Sequence, residues 1–246
     1  MTNHGRFSIF EHTSHLLKFL ENQLLPRVCV FCGALGESID LCPKCRAGLP
    51  WLLTPVPEQS YLTFVAFSYV PPIDQYIIGL KFRDRLSNAF LLGSLLADRL
   101  STREEPFPEV IVPVPLHPTR LRTRGYNQSL EVARPIARRF GLSTEPFWCQ
   151  RVRATKAQLT LSFDDRQENV RGAFVASSAV AGKRIAVLDD VITTGATATE
   201  VGNALLKAGA KEIEIWALAR TQLHTTFGVR SEYASEADAP QKKSGV

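Results

Sequence analysis

No stretch of the sequence approaches the roughly 20 consecutive apolar residues that a membrane-spanning helix requires. The N-terminal region carries His4, Glu11, His12 and His15 and has no basic segment leading into an apolar one, which excludes a secretory signal. A soluble, cytoplasmic protein is the expectation from both absences. No internal repeat is present, which argues against solenoids and propellers. The glycine patterns of the two commonest nucleotide loops, Gly-x4-Gly-Lys-Ser/Thr and Gly-x-Gly-x2-Gly, are missing as well. Cysteine is scarce, five in all, yet four of the five are paired as Cys29-x2-Cys32 and Cys42-x2-Cys45.

What remains is enough for a large core. Apolar residues fill 45% of 246 positions, which suits one large α/β domain and a small module. Ile9, Leu16, Leu17, Leu20, Leu24 and Leu25 fall on one helical stripe that Pro26 closes, so residues 1–27 read as an amphipathic helix. The cysteine segment occupies 28–57, with Pro50, Pro55 and Pro57 marking a linker. The main domain is expected at 58–228. Apolar runs at 62–69, 109–115, 185–188 and 212–219 predict strands. Helices are predicted at 73–82, 86–100, 128–140 and from about residue 198 to 208, with Gly141 stopping the third. Strands alternating with helices indicate a parallel sheet covered on both faces, whose ligands sit beyond the C-terminal strand ends. Residues 229–246 have the polar composition of a disordered tail.

The formal net charge is +5, but it is unevenly placed. Residues 115–171 hold 11 Lys/Arg against 5 Asp/Glu. A local basic surface fits a phosphate-bearing partner, either a nucleotide or a nucleic-acid backbone. Single-stranded DNA is one such partner, with Tyr126, Trp148 and Phe163 as aromatics able to stack bases beside the basic residues.

Cys29, Cys32, Cys42 and Cys45 can supply four thiolates to one tetrahedral ion. Four thiolates leave no open coordination position, so a structural zinc is expected; an iron–sulfur cluster is the other metal such a set can hold. A segment this short has little core of its own, so the metal would supply much of its folding free energy. Cys149, beside Trp148, reads as a packed thiol rather than a nucleophile.

The most informative stretch is 184–197. Ile185, Ala186, Val187 and Leu188 form a short buried strand that Asp189 and Asp190 are expected to stop. Thr193, Thr194, Gly195, Ala196 and Thr197 then open a helix. Carboxylates at a strand end accept bonds from sugar hydroxyls or hold a hard cation. Hydroxyl groups and backbone N–H groups at a helix start cradle a phosphate. Together they describe a sugar-phosphate site.

This run of apolar strand, two acids and Thr-Gly-x-Thr resembles the signature of the type I phosphoribosyltransferases, which bind phosphoribosyl pyrophosphate (PRPP). The resemblance implies that Asp189 and Asp190 meet the ribose hydroxyls, directly or through Mg2+, and that Thr193–Thr197 wrap the 5′-phosphate. Other segments are similar to the ComF family of competence-associated, phosphoribosyltransferase-like proteins. They are Leu80-Lys81-Phe82-Arg83, the Pro-Val-Pro-Leu loop of residues 113–116, Arg124-Gly125-Tyr126-Asn127-Gln128, and the stretch from Asn169 to Phe174. The four-cysteine segment completes the set. By this resemblance the fold is a phosphoribosyltransferase-like α/β domain with a zinc module. Lys81, Arg120 and Arg124 contact phosphate or pyrophosphate. Residues 150–172 form the connection that closes over the site, where Arg151, Arg153, Lys156, Arg166 and Arg171 can also touch a nucleic-acid backbone. The implied function is PRPP binding in DNA uptake or utilisation, with the uptake machinery as a partner. The alternative it carries is an active, Mg2+-dependent phosphoribosyltransferase acting on a base or amine.

Overall fold

A computed structural model describes residues 27–36, 39–52, 60–153 and 168–221. In chain order its elements are α1 (Pro43–Ala47), β1 (Leu62–Ser68), α2 (Ile73–Phe82), α3 (Ser87–Leu100), β2 (Val110–Pro113), α4 (Pro118–Arg124), α5 (Gln128–Phe140), β3 (Ser143–Thr144), β4 (Cys149–Arg151), β5 (Phe174–Ala176), β6 (Arg184–Ile192), α6 (Ala196–Lys207) and β7 (Glu212–Arg220). The amphipathic helix expected before Pro26, the polar tail, and residues 154–167 with Lys156, Phe163 and Arg166 lie outside the described residues. Among the described residues, no helix is long and apolar enough to cross a membrane.

Five strands form one sheet in the order β1-β7-β6-β2-β3, and every pairing in it is parallel. The long strands are near-continuous apolar runs because both faces are buried. Side chains of β6 alternate between two cores. Ala186 and Leu188 join the cluster under α3 and α5, built around Leu92, Leu95, Leu96, Val132 and Ile136. Ile185 and Val187 join the cluster under α6, built around Ala198, Val201 and Leu205. A separate antiparallel pair, β4 with β5, flanks the second cluster.

The direction of the connections fixes where a ligand can enter. From β6 the chain passes through α6 to β7 on one side, and from β2 it passes through α5 to β3 on the other. The two helices lie on opposite faces, so the strand order reverses between β6 and β2, and their C-terminal ends there are where sheets of this kind bind ligands.

One expectation is corrected here. The acid pair does not stop its strand: β6 runs through Asp189 and Asp190 to Ile192. The reason is the neighbouring strand. β7 extends equally far and pairs Asp189 with Ala217, Val191 with Ala219 and Ile192 with Arg220. β2 is shorter and pairs its last residue, Pro113, with Leu188. Beyond Leu188 and the Val114 amide that it accepts, β6 is held on one side only. The other boundaries fall within a residue or two of expectation. The stop at Gly141 is a left-handed residue (φ 66°) that β-carbon-bearing residues rarely adopt.

The cysteine segment packs onto the α3 side of the sheet. Leu41, Leu49, Cys29 and Cys42 belong to the same buried cluster as α2 and α3. Trp51 stacks on Phe67 with ring centroids 4.5 Å apart, and its indole N–H donates to the Arg46 carbonyl at 2.9 Å. Arg46 in turn pairs with Asp98 of α3 at 2.6 Å.

Candidate functional site

The two carboxylates that the sequence singles out stand on the one-sided end of β6. Asp190 is buried, and its Oδ1 accepts from Lys81 Nζ at 2.9 Å. Its backbone N–H donates to Asp189 Oδ1 at 2.8 Å, which ties the pair together. Burial raises the pKa of Asp189, and the adjacent Asp190 charge raises it further. Lys81, the Asp190 amide and Arg151 oppose this, and the net result is a rise from 3.8 to about 7. Burial acts to lower the pKa of the Lys81 ammonium, but the charge and hydrogen bond of Asp190, with Asp189 and Tyr69, outweigh it and hold it up.

Two guanidiniums lie in the field of this pair, Arg124 in that of Asp190 and Arg151 in that of Asp189. Burial lowers the pKa of Arg124, Arg120 lowers it further, and Asp190 and Tyr126 work against them. Burial likewise lowers the pKa of Arg151, with Arg120 and Arg153 adding to it and Asp189 opposing. Arg120 thus faces both other arginines. A set of cations that repel one another around two carboxylates is an arrangement suited to a bound polyanion.

The segment 124–128 acts as a clamp that holds these groups in register. Gly125 ends α4 in a left-handed turn (φ 81°). The Tyr126 hydroxyl donates to the carbonyl of Leu80, next to Lys81. The Asn127 side chain caps α5 by accepting from the Ser129 amide at 3.0 Å, and its Nδ2 donates to the Val114 carbonyl at 3.0 Å. Gln128 accepts from Arg124 Nη1 at 2.5 Å. One short motif therefore binds the end of α2, the loop after β2 and the α4 arginine to each other.

The loop after β6 turns tightly. Gly195 takes φ 78° and leads into α6 without a side chain at the cap, and the Thr194 hydroxyl accepts from the Ala196 amide at 3.3 Å. The feet of the 154–167 segment are fastened nearby. Arg151 pairs with Phe174 in the β4–β5 ladder, and Arg153 Nη2 donates to the carbonyls of Asn169 and Arg171 at 3.2 and 2.6 Å. Glu200 of α6 accepts from the Gly172 amide at 2.7 Å.

The four paired cysteines converge in space. Their sulfurs all lie within 4.8 Å of one another, with Cys32 and Cys42 Sγ 3.7 Å apart, and none is in a disulfide. A tetrahedral zinc–thiolate centre has sulfurs about 3.8 Å apart, so the donor set fits such an ion. Gly33 (φ 75°) closes the first turn by donating to the Cys29 carbonyl at 2.8 Å, and the Cys45 amide donates to Cys42 Sγ at 3.4 Å. Burial works to raise the pKa of Cys29, but amides of Cys42, Phe31 and Cys32 bring it down to about 6. Hydrogen bonding with Cys32 and Cys42 pushes Cys45 up to about 12. A central cation removes that opposition among the thiols. Cys149 is buried, and burial pushes its thiol up to about 12, in keeping with a packed side chain.

The chain is similar to known proteins. The phosphoribosyl transferase domain family matches residues 126–237. The DNA utilization protein YhgH of Salmonella typhi is 36% identical over 206 residues, covering 79% of this chain and 90% of that protein. Competence protein F of Haemophilus influenzae is 31% identical over 207 residues, covering 78% of this chain and 90% of that protein. The chain belongs to the ComF family. Among solved structures, glutamine PRPP amidotransferase from B. subtilis aligns with a TM-score of 0.36 at 24% identity, covering 52% of this chain and 25% of that one.

In this ComF chain, Asp189, Asp190, Lys81, Arg124 and Arg151 come together electrostatically, with Arg120 beside the two arginines. Thr193, Thr194 and Gly195 form the turn directly after the acid strand, and Ala196 and Thr197 open α6. Of the aromatics read as base-stacking groups, Tyr126 is anchored through its hydroxyl and Trp148 packs against the α6 cluster. The exposed ring beside the basic helix is instead Phe82, 66% exposed, with the Arg124 guanidinium 5.6 Å from its centroid. Sequence reasoning passed over Tyr69, whose phenol shares the field of Lys81 and Asp190. Its place just past the end of β1, at the same sheet edge as the acids, was the available signal.

The raised pKa of Asp189 gives a pH signature. Its folded value lies above its unfolded value, so the folded state binds the extra proton between about pH 4 and 7. The stability this proton contributes is present at low pH and is lost as pH rises through 7. Asp189→Asn removes the titration, so its melting temperature relative to wild type should climb from pH 5 to pH 8. A thermal melt series in which that difference stays constant contradicts the assignment.

Proposed function

We propose that this ComF protein binds PRPP or a closely related phosphoribosyl ligand at the C-terminal ends of β6 and β2, and that it serves the utilisation of DNA. The observation that carries the reading is the paired carboxylates on an open strand end, faced by a group of arginines. Asp189 and Asp190 accept the ribose hydroxyls. Thr193, Thr194, Gly195, Ala196 and Thr197 wrap the 5′-phosphate at the start of α6. Arg120 and Arg124 offset the pyrophosphate charge, with Lys81 at the boundary between pyrophosphate and ribose. The carboxylates are hard oxygen donors that suit Mg2+, which supplies charge neutralisation for the pyrophosphate when bound. The role in DNA utilisation is supported by the names of the relatives, DNA utilization protein and competence protein.

Turnover is the second reading, and the acid pair itself favours it. Two carboxylates beneath a ribose stabilise the positive charge that builds on the ring as the C1–O bond to pyrophosphate breaks. A base or amine nitrogen would then bond to C1 and release its proton. No described segment forms a pocket that identifies the acceptor.

The binding claim is tested by calorimetry with PRPP and Mg2+. Asp189→Asn combined with Asp190→Asn should abolish the heat of binding while the chain stays folded by circular dichroism. Unchanged affinity refutes the site.

Four converging thiols support zinc at Cys29, Cys32, Cys42 and Cys45. Elemental analysis should return one zinc per chain. Chelation should lower the melting temperature, because Cys29 and Cys42 belong to the buried cluster under α3. Reduced, folded protein containing no metal rules this out.

Single-stranded DNA binding is supported by Arg120, Arg122 and Arg124 on one short helix and by the exposed Phe82 ring beside them. Gel-shift affinity for an oligonucleotide should fall steeply as salt rises. No shift at low salt removes the DNA arm and leaves the phosphoribosyl one.

A further inference from the structure

The two oxygens of Asp190 have unequal surroundings. Oδ1 accepts from Lys81 Nζ at 2.9 Å, whereas Oδ2 is buried with no hydrogen-bond partner among the described residues. Asp190 is 5% exposed and the Lys81 side chain 21% exposed. Lys81 arrives from the last turn of α2, which is pinned by the fully buried Ile73, Ile77 and Leu80. The other charged or titratable groups facing this contact are Asp189 beside it, Tyr69 past β1, and Arg124 and Arg151 further out. Lys81 is in direct contact with Asp190.

A buried carboxylate with one oxygen unpartnered among the described residues is a hard donor that suits a divalent ion. Lys81 already stands where such an ion would have to approach Asp190, and two cations on one carboxylate repel strongly in a buried setting. Mg2+ also sheds its water reluctantly and prefers to enter protein sites with a substrate phosphate as co-ligand.

We propose that Lys81 is a resident counter-cation that keeps a bare divalent ion off the acid pair, so that the ion enters only together with a polyphosphate ligand. Lys81 thereby acts as a positioning residue. It neutralises Asp190, holds its carboxylate through Oδ1, and leaves Oδ2 for a ligand hydroxyl. The second half of this inference rests on the phosphoribosyl reading above; the exclusion of the bare ion does not.

The test is equilibrium dialysis of the full chain against Mn2+ alone, reading protein-bound Mn2+ by electron paramagnetic resonance. Wild type should show no site at the acid pair below about 1 mM. Lys81→Met should gain one that is at least about tenfold tighter, and Lys81→Met with Asp190→Asn should lose it again. Lys81→Arg, which keeps the charge, should behave as wild type. Lys81→Gln makes the same comparison if Lys81→Met does not fold. A folded charge-removing variant that gains no Mn2+ overturns the proposal, because a merely structural ion pair predicts lost stability without a new metal site. Wild type binding Mn2+ as tightly as Lys81→Met overturns it equally. Adding PRPP should bring Mn2+ into the wild-type protein. If it does not while the Lys81→Met gain is present, the phosphoribosyl reading and the co-entry it implies fall, and the exclusion role of Lys81 stands.

Discussion

The candidate site depends on β6 outrunning β2. The shorter strand ends in Pro113 opposite Leu188, and the next residues of β6 are Asp189 and Asp190. Had β2 continued by two residues, the acids would lie beneath a paired strand. β7 keeps the extended end of β6 straight by pairing out to Arg220, so the carboxylates stand on a rigid edge rather than on a loop. A ligand that needs two fixed acceptors is served better by such an edge than by a mobile turn.

Around that edge the charge is arranged in two zones. Lys81 is in contact with Asp190, while Arg124 and Arg151 lie further out and each is opposed by Arg120. The clamp at 124–128 sets the spacing of the two, since Tyr126 grips the end of α2 and Gln128 holds Arg124. The four-cysteine cluster reaches the other end of α2, its first turn. The Tyr76 hydroxyl donates to the Val30 carbonyl at 3.1 Å, and the Tyr76 ring packs on Phe31 at 4.7 Å.

Much of this was legible in the sequence because it is local. The Cys-x2-Cys spacing, the apolar run before the acids, the glycine after them and the stop at Gly141 each report on a few neighbouring residues. The acid pair as the end of its strand was misread for the opposite reason. Whether two carboxylates stop a strand depends on how far its neighbours extend, and β2 and β7 are distant in sequence. The Lys81–Asp190 contact was hidden in the same way: Lys81 was placed by motif on a phosphate, and its ammonium reaches Asp190 through the packing of α2. An aromatic among arginines suggests base stacking, and the structure adds that the Tyr126 hydroxyl donates to the Leu80 carbonyl and that the Phe82 ring nearby is exposed.

The central claim is that the open end of β6 grips a phosphorylated pentose. A crystal structure with PRPP and Mg2+ tests it most directly. The account predicts ribose hydroxyls within hydrogen-bonding distance of Asp189 and Asp190, with the 5′-phosphate seated in the turn from Thr193 to Thr197. A ligand bound elsewhere, or no ligand between β6 and β2 at saturating concentration, would contradict it.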